Sequence, residues 1–89
     1  MASEPVCRLG DVSDHGGTLI TASSTVKTDG IAACRDQDLH DCPLPGHGVT
    51  PVTGTGIARL DGGRPRVRIG DVAGCGAAMS SGSPTTTCE

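Results

Sequence analysis

The chain is 89 residues long, carries a net charge of −3 from Lys+Arg 7 against Asp+Glu 10, and contains no Phe, Trp or Tyr. A domain of this size buries only about 60–65% of its unfolded surface, and without aromatic rings each buried side chain contributes less, so a large apolar core is excluded; such scaffolds usually use a metal, disulfides or a partner as a staple. The acidic balance, with no aromatics among the basic residues, disfavours a nucleic-acid partner, duplex or single-stranded.

Met1-Ala2-Ser3-Glu4-Pro5 has neither the basic nor the apolar region of a signal peptide, and no stretch is long and apolar enough to span a bilayer. Residues 5–35 read as a first unit. Pro5-Val6-Cys7-Arg8 leads into a Gly-Asp turn, and His15-Gly16-Gly17 makes a second turn. Thr18–Thr21 and Ser23–Thr28 read as strands, the latter closed by Asp29-Gly30, a hairpin dipeptide. Residues 36–66 repeat that plan with an inserted loop, Asp41-Cys42-Pro43-Leu44-Pro45-Gly46-His47-Gly48, expected to be extended. Val49–Thr53 and Gly56–Leu60 follow as short strands, and Asp61-Gly62-Gly63 turns back. Residues 67–89 hold only half a repeat. No stretch keeps a helical apolar period over three turns, so the expected class is small and all-β, one domain over 1–89.

The units are copies of one another. Arg8 to Gly16 returns without a gap as Arg68 to Gly76, and over 8–25 against 68–85 seven of eighteen residues are identical. A more worn copy runs from Arg35 to Cys42. In each, an Arg precedes an Asp by three residues, and four residues after the Asp stands His15, Cys42 or Cys75. Two and a half irregular units are too few for an open solenoid, so closure about an axis is expected.

His15, His40, Cys42, His47 and Cys75 are the candidate metal ligands. Imidazole and thiolate select zinc over magnesium or calcium, and a closed structural zinc site takes four such ligands. Five Cys is an odd count in a chain that shows no signal peptide, which favours metal binding or free thiols over a disulfide framework, and the lack of Cys-x-x-Cys spacing speaks against a small thiol-based metal-binding or redox module. Cys7 and Cys34 are equivalent to Val67, so that position reads as a small apolar core site. Cys88 is expected to be exposed and without a role. Asp11, Asp38 and Asp71 read as turn and ion-pair framework, since Asp in a tight turn bonds its own backbone.

The ordered set Pro5-Val6-Cys7-Arg8, Ala32-Ala33-Cys34-Arg35 and Pro65-Arg66-Val67-Arg68, with Leu9-Gly10-Asp11, Gly46-His47-Gly48 and Ile69-Gly70-Asp71, resembles the PAAR-repeat proteins over residues 5–85. The resemblance implies a cone of three short β-hairpin repeats about a pseudo-three-fold axis, stabilised near its point by one structural zinc ion. By the family pattern of three His and one Cys, the ligands are His15, His40, His47 and Cys75, with Cys42 in reserve. It implies a non-enzymatic tip on a trimeric VgrG-like spike of a type VI secretion needle, one copy per trimer. Residence in the bacterial cytoplasm before firing, secretion by the apparatus, transient contact with a target membrane and carriage of effectors or adaptors follow from the same resemblance, with no effector extension in this chain. The tip of a contractile phage tail is the alternative. A zinc-dependent hydrolase, from another class, would require an open coordination position and a nearby base.

Overall fold

The structure is a computed structural model and describes residues 3–89. Its strands are β1 (Glu4–Pro5), β2 (Thr18–Leu19), β3 (Lys27–Thr28), β4 (Ile31–Ala32), β5 (Leu39–Cys42), β6 (Gly48–Pro51), β7 (Arg59–Leu60), β8 (Arg64–Pro65) and β9 (Thr87–Cys88). All pairings are antiparallel, and no helix forms among the described residues. The strands are shorter than the sequence pattern predicts, because closely spaced Gly and Pro turn the chain before long ladders can form.

Three outer hairpins mark the three units. β3 pairs with β4 in the register Lys27↔Ala32, and β7 pairs with β8 in the register Arg59↔Pro65. The third hairpin joins the two ends of the chain, β9 to β1, with Pro5↔Thr87. Pro5, Ala32 and Pro65 are repeat equivalents. The half repeat at residues 67–89 is therefore completed by the first strand, and the three units form a closed ring.

The ring closes through the backbone at its axis. The Cys7 N–H donates to the Val67 carbonyl at 2.8 Å, the Val67 N–H to the Cys34 carbonyl at 3.2 Å, and the Cys34 N–H to the Cys7 carbonyl at 3.1 Å. The bridges Arg8↔Ala33, Arg35↔Arg66 and Val6↔Arg68 run around the ring in the same sense. Three backbones can approach this closely only if their side chains are small. Cys7, Cys34 and Val67 meet that condition and are fully buried, as the equivalence of the three positions predicts. A second buried layer follows, Leu19, Val52 and Met79. Each of these donates its N–H to the carbonyl of a turn aspartate: Leu19 to Asp11, Val52 to Asp38, Met79 to Asp71.

The repeated Arg-x-x-Asp segment is a β-turn. The N–H groups of Asp11, Asp38 and Asp71 donate to the carbonyls of Arg8, Arg35 and Arg68 at 3.0, 2.9 and 3.1 Å. The residue before each Asp has positive φ: 87° at Gly10, 70° at Gln37 and 95° at Gly70. Type II turns require this at their third position, and a residue with a Cβ pays roughly 1–2 kcal/mol there.

Each aspartate carboxylate accepts the backbone N–H of its own Arg, at 2.6 Å for Arg8 and Arg35 and 2.9 Å for Arg68. It also accepts a hydroxyl from another unit: Ser81 to Asp11 at 3.0 Å, Thr21 to Asp38 at 2.8 Å, Thr55 to Asp71. The carboxylates thus lace each unit to its neighbour, which is the framework role expected of them. Burial alone would raise the pKa of Asp38, but the Arg35 guanidinium and backbone N–H and the Thr21 hydroxyl outweigh it and hold the carboxyl below its ordinary value.

Two expectations are revised. The segment 41–48 is not an extended loop: its ends belong to the hairpin β5–β6, which extends β2 into a three-stranded sheet. Cys88 is not exposed, because pairing of β9 with β1 folds it inward to 8% exposure, with Sγ against Gly56. Arg66 occupies the position of the buried Val6 and Ala33. Its guanidinium bonds Thr28 Oγ1, while its Nε is buried without a partner.

Candidate metal centre

One end of the axis is built from three chain reversals, one per unit. In the first and third units the reversal is a tight turn, closed by Gly16 N–H to the Ser13 carbonyl at 3.0 Å and Gly76 N–H to the Ala73 carbonyl at 2.9 Å. Gly16 and Gly76 take positive φ, 80° and 92°, which places His15 and Cys75 at matching points just before the bend. In the second unit the insertion lengthens the reversal into β5–β6. Cys42, equivalent to His15 and Cys75, ends β5 opposite Gly48. The connecting turn, closed by His47 N–H to the Leu44 carbonyl at 3.1 Å, folds the His47 ring back toward Cys42.

His15, Cys42, His47 and Cys75 each offer one ligand atom, and these atoms all lie within 4.8 Å of one another. Cys42 Sγ is 3.8 Å from His15 Nδ1 and 3.5 Å from His47 Nδ1. Tetrahedral zinc with Zn–S of about 2.3 Å and Zn–N of about 2.0–2.1 Å spaces sulfur and nitrogen about 3.6 Å apart, close to these two sulfur–nitrogen separations. The donor set, two thiols and two imidazoles, is also the chemistry zinc selects. The His15 and His47 rings pack edge to face, centroids 5.3 Å apart. The Asp14 carboxylate lies 3.8 Å from His15 Nε2, on the side of the ring away from the cluster.

The two thiols differ. Burial works to raise the Cys75 thiol, but hydrogen bonds from the Ala77 backbone, His47, Thr50 and Cys42 outweigh it and hold it at about 7. Burial pushes the Cys42 thiol up, reinforced by Cys75 beside it. A thiolate at Cys75 is the form a metal takes.

The structure groups three of the residues expected to ligate, His15, His47 and Cys75, and brings Cys42 to the fourth place. His40 stands elsewhere. It is equivalent to Ser13 and Ala73, and the three form a buried layer beneath the cluster. The His40 ring is fully buried, with Nε2 2.8 Å from Ser13 Oγ and Nδ1 3.9 Å from Cys75 Sγ. Along β5, His40 and Cys42 point to the same side, but Cys42 lies two residues nearer the reversal and so takes the apical place. Burial, and then His15, lower the His40 pKa and keep the ring neutral. Gly17 makes room for it: a Cβ there would lie 2.6 Å from the ring's Cε1 and Nε2.

The family model described as PAAR motif matches residues 9–81, most of the chain. No curated protein matches the sequence.

Proposed function

Since the chain belongs to the PAAR-motif family, we propose that it is the tip piece of a contractile injection spike, seated on the blunt end of a trimeric VgrG-type protein of a type VI secretion needle and acting mechanically, without catalysis. The observation that carries this reading is the closed backbone ring of Cys7, Cys34 and Val67, which gives one polypeptide three nearly equivalent faces. A three-fold surface can be covered by a single such chain with all three subunits engaged at once. A tip must also resist deformation. Very short strands and no aromatic core leave the apex weak unless it is cross-linked.

The cross-link we propose is one structural zinc ion held by His15, Cys42, His47 and Cys75. One ligand comes from each unit and a fourth from the inserted hairpin, so the ion ties the whole ring together at its point. All four positions are filled by protein, which leaves no site for a reactive water and argues against a hydrolase. The seat in the needle implies residence in the bacterial cytoplasm before firing, then export through the apparatus, brief contact with a target membrane, and carriage of effectors or adaptors bound by the tip or spike.

The test is assembly with a trimeric spike protein, followed by mass measurement of the complex. One copy per trimer is expected. Three copies per trimer, or no complex, would overturn the reading.

A further inference from the structure

We propose that His40 is a positioning residue of the metal centre and not one of its ligands: its Nδ1–H donates to the Cys75 thiolate, while Ser13 fixes the tautomer that makes this possible. The inference rests on the metal site proposed above, and the test separates the two.

The tautomer follows from accounting for Ser13. A serine hydroxyl has one proton to donate and two lone pairs to receive. Ser13 Oγ receives the Gly17 N–H at 3.3 Å and the His15 N–H at 3.4 Å, which uses both lone pairs. Its own proton is left for the remaining neighbour, His40 Nε2, at 2.8 Å. Nε2 is therefore an acceptor, and the ring proton of neutral His40 sits on Nδ1. Nδ1 faces Cys75 Sγ at 3.9 Å, at the outer reach of a hydrogen bond to sulfur.

Packing keeps the ring there. His40 is fully buried in a layer with Ser13 and Ala73, side chains that do not bind zinc, and its ring lies against Gly17 with no room for even a methyl group between them. For His40 to become a ligand through Nδ1, the ring proton would have to move to Nε2, and Ser13 Oγ, whose lone pairs already receive the Gly17 and His15 N–H groups, would have to accept it. In place, it lowers the charge density on a metal-bound sulfur and holds that sulfur at its angle. Hydrogen-bond partners behind metal ligands typically change affinity by 10–100-fold.

The experiment loads the full chain with cadmium-113 and records nitrogen-15 spectra of the imidazoles, with chelator competition giving metal affinity. We expect metal–nitrogen coupling at His15 and His47, none at His40, and the Nδ1–H tautomer for His40. His40→Ala should still bind one metal through two thiolates, read from the cobalt charge-transfer band, with affinity lowered 10–100-fold. His40→Asn, whose amide can reach the same sulfur, should recover most of that loss. Coupling at His40, a proton on its Nε2, or unchanged affinity in His40→Ala would each overturn the inference alone. The coupling pattern and the tautomer are read on the unaltered protein, so a variant that fails to fold does not remove the test. A chain that takes up no metal overturns the metal site and the inference together.

Discussion

His15 Nδ1 and Cys42 Sγ meet 3.8 Å apart at the apex, although their residues belong to different units. With Cys75 from the remaining unit, the cluster draws on the whole ring, so a bound ion resists separation of any unit from the others. Structural zinc sites contribute on the order of 10 kcal/mol to folding. Cys42→Ala should abolish stoichiometric zinc binding and lower the melting temperature by more than about 10 °C, since about 1 kcal/mol corresponds to 4–8 °C in a domain of this size. Calorimetry with metal analysis checks this. Cys88→Ala, which removes a buried thiol far from the cluster in sequence, should keep its full zinc content; zinc loss there, or its retention in Cys42→Ala, contradicts the assignment.

Thiol accessibility gives a second expectation. Burial pushes Cys34 up to about 12 and Cys7 higher still, and their thiols donate to the Thr21 and Ser81 carbonyls at 3.4 and 3.3 Å. Both should ignore a disulfide reagent in the folded protein. Chelator should expose two fast thiols, Cys75 reacting first because its pKa of about 7 leaves much of it as thiolate near neutrality. Counting released chromophore before and after chelation measures this; fast reaction of three or more thiols without unfolding would contradict it.

The repeat made much of this legible in the sequence. Equivalence of Cys7, Cys34 and Val67 marked a small apolar core position, which the structure puts on the axis, and equivalence of His15, Cys42 and Cys75 pointed to one member of the cluster from each unit. The three-His, one-Cys pattern set His40 ahead of Cys42, whereas the structure groups Cys42 with His15, His47 and Cys75, and His40 aligns with Ser13 and Ala73. Strand alternation puts both His40 and Cys42 on the inner side of β5, so only depth along the axis separates the clustered residue from the one beneath it, and depth has no local signature. The pairing of β9 with β1 was hidden for a related reason. It joins residues at opposite ends of the chain, Glu4 and Cys88, and no local pattern announces such a contact.

Acid should unlace the ring over a defined range. The Asp38 carboxyl is lowered in the folded state, so its contribution to stability is present above the unfolded value of about 3.9 and is lost as pH falls through the folded value. Asp61 behaves the same way: hydrogen bonds from Thr25, Ser23 and Arg35 bring it to about 2. With zinc absent throughout, protonating the carboxylates should cost stability between about pH 4 and pH 2, apart from the separate loss below about pH 6.5 that His40 brings because burial lowers its pKa. Denaturant titration across pH reads the slope. Asp38→Asn should flatten it and lower stability by about 1–3 kcal/mol, because the charged hydrogen bonds between the Asp38 carboxylate and Arg35 are lost while Asp61 still pairs with the guanidinium; an unchanged slope would remove Asp38 from the framework role.

Gln37 carries a positive φ of 70° where the other two turns have Gly10 and Gly70. The left-handed conformation costs a side-chain-bearing residue roughly 1–2 kcal/mol, and glycine's greater freedom in the unfolded chain returns about 0.5–1 kcal/mol of that advantage. Gln37→Gly should therefore stabilise the protein slightly, raising the melting temperature by a few degrees. A clear decrease would mean that the Gln37 side chain, whose amide lies 3.4 Å from Asp36 Oδ1, contributes more than the turn strain takes away.

Because β9 and β1 form the same hairpin as β3–β4, the ring has no structurally privileged starting point. Thr28-Asp29-Gly30-Ile31 spans the first hairpin, and Cys88-Glu89-Gly-Glu4, with one added glycine and residues 1–3 removed, would span the third with the same number of residues. Opening the chain instead between Gly62 and Gly63, in the turn joining β7 and β8, leaves every axial hydrogen bond intact. The permuted protein should bind one zinc and melt within a few degrees of the original. Deleting residues 1–5 from the unpermuted chain removes the partner of β9 and the Pro5 carbonyl that accepts the Ile69 N–H at 2.9 Å, and should destabilise it strongly. If the permutant fails to fold while the truncated chain keeps its melting temperature, the ends do not close the ring.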